Sequence, residues 1–205
     1  MSLLESVLEL LMGFAGVFVG KEKQDKTVKK QAMQPLYLEL QDNEWAYTHT
    51  DHDREIVRAI VVDEEGIFRF IRAVREDVFC HGTIIETAGG GVEAGEDLHA
   101  AVRREIREEL GAEVEILAEI GTVSDYYNLI HRHNINHYFL CRATAFGATQ
   151  MTEDEIHRFH LSTLALTYDE AVAEYERCQN GALGRLIAAR ELPILRRAKE
   201  MLDTL

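Results

Sequence analysis

The chain has 205 residues, enough for one domain with a hydrophobic core and a short appendage. Hydrophobic residues make up 46% of it, which is ordinary for a globular protein, and the formal net charge is −14. An acidic excess of that size repels a nucleic-acid backbone and argues against broad DNA or RNA binding, but leaves open a small anionic substrate bridged to acidic side chains by divalent cations.

The most apolar stretch comes first, "LLESVLELLMGFAGVFVG" from Leu3 to Gly20. Leu4, Val7, Leu8, Leu11, Phe14, Ala15 and Phe18 fall on one helical stripe, which predicts a helix. Glu5 and Glu9 interrupt it, and the unbroken run from Leu10 to Gly20 is too short to span a bilayer, so no transmembrane segment is expected. No basic region precedes it, which argues against a signal peptide. The stripe is read as packing on the body of the protein or on a second copy, giving a homodimer. A membrane-surface helix is the alternative, with the lysines of "KEKQDKTVKK" beside it. That polar run reads as a linker, which divides the chain into an appendage at 1–34 and a main domain at 35–205.

"LYLEL" from Leu36 alternates as a half-buried strand does, and "EWAYTHT" is a possible second short strand. "REIVRAIVVDEEGIFRFIRAV" reads as a hairpin, with two β-branched or aromatic runs around a turn ending in Gly66. "GTIIET" is a further strand, and the glycine-rich "AGGGVEAG" reads as a loop leading into a helix from about Asp97 to Leu110. "VEILAEIGTV" and "NHYFLCRATAF" are strands. Thr167 with Glu170 three residues on is a capping box that opens a helix through "TYDEAVAEYERC". A last helix runs through "LGRLIAARELPILRRAKEML", with Pro193 restarting or kinking it. The sum is an α+β domain with mainly antiparallel strands. Cys80, Cys141 and Cys178 show no disulfide or zinc spacing and are expected to be buried free thiols of a cytoplasmic protein.

The chemistry is concentrated in "GGVEAGEDLHAAVRREIREELGA", from Gly90 to Ala112. Leu98, Ala101, Val102, Ile106 and Leu110 form the core-facing stripe of its helix. Glu105, Glu108 and Glu109 are three and four residues apart, so their carboxylates gather on a neighbouring face. Like charges so placed repel, and although Arg103, Arg104 and Arg107 offset part of this, a divalent cation would offset more. Carboxylate oxygens are natural ligands of Mg²⁺ or Mn²⁺. The glycines at 89–91 allow close backbone approach to a ligand. Taken alone, "RREIREEL" also suits a solvated, salt-bridged helix.

The full spacing is more specific. Gly90, Glu96, Arg104, Glu105, Glu108, Glu109 and Gly111 stand at the intervals of the Nudix box, with Ile106 at its aliphatic position and Ala112 at its weakest match. The chain therefore resembles the Nudix hydrolases. The resemblance implies an α/β/α sandwich around a mixed sheet, here with the N-terminal helical appendage. It implies Mg²⁺- or Mn²⁺-dependent hydrolysis of a phosphoanhydride in a nucleoside diphosphate linked to a further moiety X. Glu105, Glu108 and Glu109 would be the metal-binding carboxylates, the carbonyl of Gly89 a further ligand, and Arg104 the residue that holds the glutamates. Glu96 would brace the loop and helix. The general base would be Glu105 or Glu108, or a residue of the distant loop "QMTEDEIHRFH", where Glu153, Asp154 and Glu155 stand.

The loop "IETAGGGVEAGED" is similar to that of ADP-ribose and nucleotide-sugar pyrophosphatases, with Glu86 at their upstream glutamate. "SDYYNLI" stands where the ADP-ribose subgroup has a proline, and tyrosines in roughly that region occur in the similar dinucleoside polyphosphate hydrolases; Tyr126 and Tyr127, with His131 beside them, are substrate-binding candidates. Rings there could stack on a base. His131, His133 and His137 could alternatively share one strand face as zinc ligands, or be an ordinary strand edge. A house-cleaning nucleoside triphosphate pyrophosphatase and a non-catalytic ligand sensor remain alternatives; the intact glutamates favour an enzyme.

Overall fold

The computed structural model describes residues 33–157 and 160–205. The expected apolar helix at 3–20 and the polar run after it lie outside the described residues. The rest builds one eight-stranded mixed sheet with helices on both faces.

The strands are β1 (Leu36–Leu40), β2 (His52–Val62), β3 (Phe68–Glu76), β4 (His81–Glu86), β5 (Ala88–Gly91), β6 (Ala112–Tyr127), β7 (Arg132–Phe146) and β8 (Ser162–Leu166). Their order across the sheet is β1-β6-β7-β2-β3-β4, with β5 also on β2 and β8 also on β3. β1 runs parallel to β6 and β2 parallel to β7, while every other pairing is antiparallel. The helices are α1 (Leu98–Leu110), α2 (Glu153–His157), α3 (Tyr168–Cys178) and α4 (Ala182–Leu202).

Strand β2 explains the layers. Its run "IVRAIVV" has lost simple alternation because both faces are covered. Val57, Ala59 and Val61 join one core with Phe139, Cys141 and the α1 residues Val102, Ile106 and Leu110. Ile60 and Val62 turn the other way and join Tyr138, Leu140, Tyr175 of α3 and Ile187 and Leu195 of α4. Each large aliphatic side chain so buried contributes roughly 1.5–3 kcal/mol.

The expected hairpin forms at its turn but not along its strands. Asp63 accepts hydrogen bonds from the N–H groups of Glu65 and Ile67 at 3.0 and 2.9 Å, which fixes the turn. Only Val61 with Arg69 and Val62 with Phe68 then pair. Beyond them β3 pairs with β4, and β2 pairs with β5 through Ile56–Ala59. The glycine-rich stretch is thus a strand at its start. A side chain at Gly89, whose φ is +152°, would lie 2.1 Å from the Val57 carbonyl oxygen, so only glycine allows this pairing.

Other expectations are corrected. "EWAYTHT" forms no strand. β8 and α2 arise where only a loop was read. β8 is a short edge strand that exists through its pairing with β3 from Phe68 to Arg72. α4 runs unbroken through Pro193, since Leu192, Ile194 and Leu195 around it are buried and offset the lost backbone hydrogen bond. Cys141 and Cys178 are buried free thiols, but Cys80 is only half-buried. The capping box at Thr167 and Glu170 is present in full.

Candidate active site

Helix α1 starts where Asp97 accepts from the N–H groups of His99 and Ala100, and stops where Gly111 takes a left-handed conformation with φ +62°. Burial of Ala101, Val102, Ile106 and Leu110 on the sheet fixes its rotation. That rotation decides where the glutamates point.

Arg104 sits at the centre of them. Its Nε and Nη2 donate to the two oxygens of Glu96 at 2.9 Å each, a bidentate pair. Nη1 donates to Glu105 Oε1 at 2.8 Å and to Glu108 Oε2 at 3.4 Å, and Nη2 also reaches the Gly91 carbonyl at 3.1 Å. The arginine therefore ties the loop, the helix and β5 together. The pairing draws the Glu96 carboxyl down to about 2, chiefly through the Arg104 hydrogen bonds, and raises the arginine in turn.

Glu109 points the other way, onto β5, and accepts from the Gly89 N–H at 2.8 Å. Burial pushes its carboxyl up to about 8; the Gly89 hydrogen bond opposes that shift and the charge of Glu105 adds to it. Burial raises Glu105 as well, partly offset by Arg104. Gly90 makes room for this carboxylate, because a methyl there would lie 2.5 Å from Glu105 Oε1. Glu108 is the most exposed of the three, at 40%.

Among the described residues, no three His, Cys, Asp or Glu side chains stand grouped to hold a metal ion in the arrangement shown. The donor set nevertheless suits a hard cation. It consists of carboxylates only, and they are crowded and partly desolvated, so positive charge would relieve both effects.

The other candidates divide into two groups. Glu86 and Tyr127 line a cavity of about 340 Å³ beside the carboxylates. Tyr127 is buried there, and its hydroxyl accepts from Arg190 Nη1 at 3.1 Å. Tyr126 instead stacks on His133 with ring centres 4.5 Å apart, and His131 stacks on His49 at 4.1 Å; neither lines the cavity. The three histidines of the zinc alternative each have a separate neighbour: Thr48 for His131, Asp53 for His133 and Glu55 for His137. Glu153, on α2, is 88% exposed and paired with His157 at 3.0 Å. Glu155 lies on the same short helix. The preceding segment is anchored on α1, where the Gln150 N–H donates to the Glu108 carbonyl at 2.6 Å.

The cavity exposes residues that the sequence reading did not single out. It is lined by Arg54 and Arg58 of β2, Arg132 of β7 and Arg190 of α4. Arg58 Nε donates to Asn136 Oδ1 at 3.0 Å, and Arg190 Nη1 and Nε donate to Asp125 and Glu191 at 3.0 Å each. Glu191, fully buried, also accepts from the hydroxyls of Tyr138 at 2.8 Å and Thr87 at 3.2 Å. One signal for this was legible: Arg54 and Arg58 are four apart on a strand, hence on one face.

A NUDIX domain model matches residues 52–179. Among solved structures, a NUDIX hydrolase from Nitrosomonas europaea superposes with a TM-score of 0.56 at 14% identity, covering 75% of this chain and 96% of that one. The solution structure of the E. coli ORF135 protein superposes with a TM-score of 0.51 at 21% identity, covering 74% of this chain and 92% of that one. At these identities the likeness is one of fold. No curated protein matches the chain.

Proposed function

The chain belongs to the Nudix family, and we propose that it is a divalent-metal-dependent hydrolase that cleaves the phosphoanhydride of a nucleoside diphosphate linked to a further moiety, of the ADP-ribose or nucleotide-sugar type. The observation that carries this reading is the Arg104 clamp. One guanidinium holds Glu96, Glu105 and Glu108 while Glu109 is pinned to the Gly89 N–H, so four carboxylates surround the junction of α1 and β5. Salt bridges alone leave Glu105 and Glu109 desolvated side by side; a bound cation would relieve that.

Glu105, Glu108 and Glu109 would hold Mg²⁺ or Mn²⁺, with the Gly89 carbonyl adjacent. The bound cation would supply charge neutralisation for the diphosphate and a more acidic water. The chain's own residues do the rest. Arg104 orients Glu105 through Oε1. Glu105 Oε2 accepts no hydrogen bond among the described residues, which supports it as the group that would take the proton of the attacking water. Its desolvation raises its proton affinity, as that role requires. Attack at phosphorus breaks the bridging P–O bond and releases two monophosphates. Glu86, at the end of β4, faces the neighbouring cavity where the rest of the substrate would lie.

The test is a panel of ADP-ribose, nucleotide sugars, dinucleoside polyphosphates and nucleoside triphosphates, assayed with Mg²⁺ or Mn²⁺ beside a Glu109→Gln control. The expected result is metal-dependent release of two monophosphates from one diphosphate class, absent in the control. Release of inorganic pyrophosphate from triphosphates would move the assignment to the triphosphate pyrophosphatases. Tight binding without turnover would leave a ligand sensor.

A further inference from the structure

The cavity beside the carboxylates is walled by positive charge beyond what its own carboxylates balance. Arg75 is paired with Asp77 at 2.5 Å, Arg58 lies 3.6 Å from Glu86, and Arg190 is paired with Asp125 and Glu191. Arg54 and Arg132 are different: among the described residues neither has a carboxylate within 4.0 Å. Arg132 is held below its ordinary proton affinity first by burial and then by the charge of Arg54. Arg54 is exposed and its charge acts on Glu105, while Arg132 lies 5.7 Å over the Tyr127 ring and feels the charge of Asp125; a bound anion would add the direct partner that neither has.

A second observation comes from hydrogen bonding. Among the described residues, six buried side-chain polar atoms have no partner, and three of them belong to residues of this one cavity: Arg132 Nε, Asn134 Oδ1 and Arg190 Nη2. Asn134 and Arg190 are each only 1% exposed. Leaving such atoms unpaired costs about 1–3 kcal/mol apiece. Two of the three are donors and one is an acceptor. A ligand that drew these side chains round would offer anionic oxygens to the arginines and a hydroxyl to the asparagine. Arg54 links the cavity to the carboxylates, since its guanidinium lies 2.9 Å from where a side chain at Gly91 would begin and its charge acts on Glu105.

We propose that this cavity is a subsite for a phosphate monoester carried on the sugar of moiety X, with Arg54 and Arg132 as the specificity residues and Asn134 accepting from a sugar hydroxyl. The inference rests on the diphosphate-hydrolase reading and narrows its substrate class to diphosphates whose second half is itself a sugar phosphate. A plain ribose or hexose would leave Arg132 Nε and Arg190 Nη2 without an anionic partner.

The experiment compares ADP-ribose with ADP-ribose 1″-phosphate, on the full chain, in two readouts. With Mg²⁺, kcat/KM should be at least about tenfold higher for the phosphorylated compound, as expected for a new charge-assisted contact. In the Glu109→Gln chain, calorimetry should show a similar preference in Kd. Arg132→Ala and Arg54→Ala should each collapse the preference, and Arg132→Lys should restore part of it. Turnover of both compounds with equal kcat/KM overturns the subsite and leaves the hydrolase reading standing. A preference in Kd with no turnover of either keeps the subsite and overturns the hydrolase. Equal Kd for the two compounds in the Glu109→Gln chain overturns the subsite whatever the turnover. Orthophosphate binding as tightly as ADP-ribose 1″-phosphate would also overturn it, by reassigning the cavity to the free anion.

Discussion

The carboxylate cluster and the arginine cavity lie side by side, and they gather like charge by opposite means. The cluster draws Glu96, Glu105, Glu108 and Glu109 from one short stretch and leaves Glu108 40% exposed, with one arginine binding three of them together. The cavity draws its arginines from β2, β3, β7 and α4 and buries part of them against Asp125 and Glu191. A local cluster can stay near water and be neutralised by something that arrives. A buried one has to bring its own counterions, as Arg190 does with Asp125 and Glu191.

The sharpest way to break the comparison is to remove charge from the cluster alone. Glu109→Gln should lower turnover by orders of magnitude while circular dichroism and the melting transition show an intact fold. Near-normal rates would take Glu109 out of the metal set. The same operation in the buried network should act on stability instead. Glu191→Ala leaves Arg190 and Tyr138 without their shared acceptor and should cost about 3–5 kcal/mol, read as a fall in the denaturant midpoint. A loss below 1 kcal/mol would mean that water replaces the carboxylate and that the region is wetter than described.

Steric crowding tests the cluster more gently. Gly90→Ala should lower kcat by about a hundredfold, because the added methyl would lie 2.5 Å from the Glu105 carboxylate and displace it. An unaffected rate would show that Glu105 tolerates displacement and so is not the base. A further test is one of pH. The folded value of Glu109, about 8, is above its ordinary 4.5 because of burial. Its contribution to stability is therefore full below pH 4.5 and is lost as pH rises through 8. The metal-free protein should melt at a progressively lower temperature between pH 5 and pH 8.5, and Glu109→Gln should flatten that slope. A wild-type profile as flat as the variant's would indicate that the carboxyl is better solvated than its surroundings suggest.

How far the sequence could be read followed the distance over which each feature is encoded. The extent of α1 and the Thr167 capping box were legible because each is a matter of neighbours three or four residues apart. The glutamate cluster was legible for the same reason. The hairpin was half legible: Asp63 fixes the turn locally, but the departure of β3 from β2 depends on β5 and β4 competing for strand edges. Strand β8 was not legible at all, since "STLAL" is stabilised by β3, some ninety residues earlier. The two tyrosines at the end of β6 part company for a related reason. Tyr126 and Tyr127 are adjacent in sequence but point to opposite faces of a strand, so only Tyr127 reaches the cavity.

By itself the sequence determined the helix that carries the carboxylates, the spacing that aligns them and the family to which the chain belongs, because helical periodicity turns sequence intervals directly into a shared face. Only the tertiary structure decided that the glycines at 89–91 form a strand, that Glu109 turns inward onto it, and that Arg54, Arg58, Arg132 and Arg190 meet in one cavity. Those features depend on which strands lie beside β2, and that pairing follows from burying two cores at once, which no single stretch of the chain encodes.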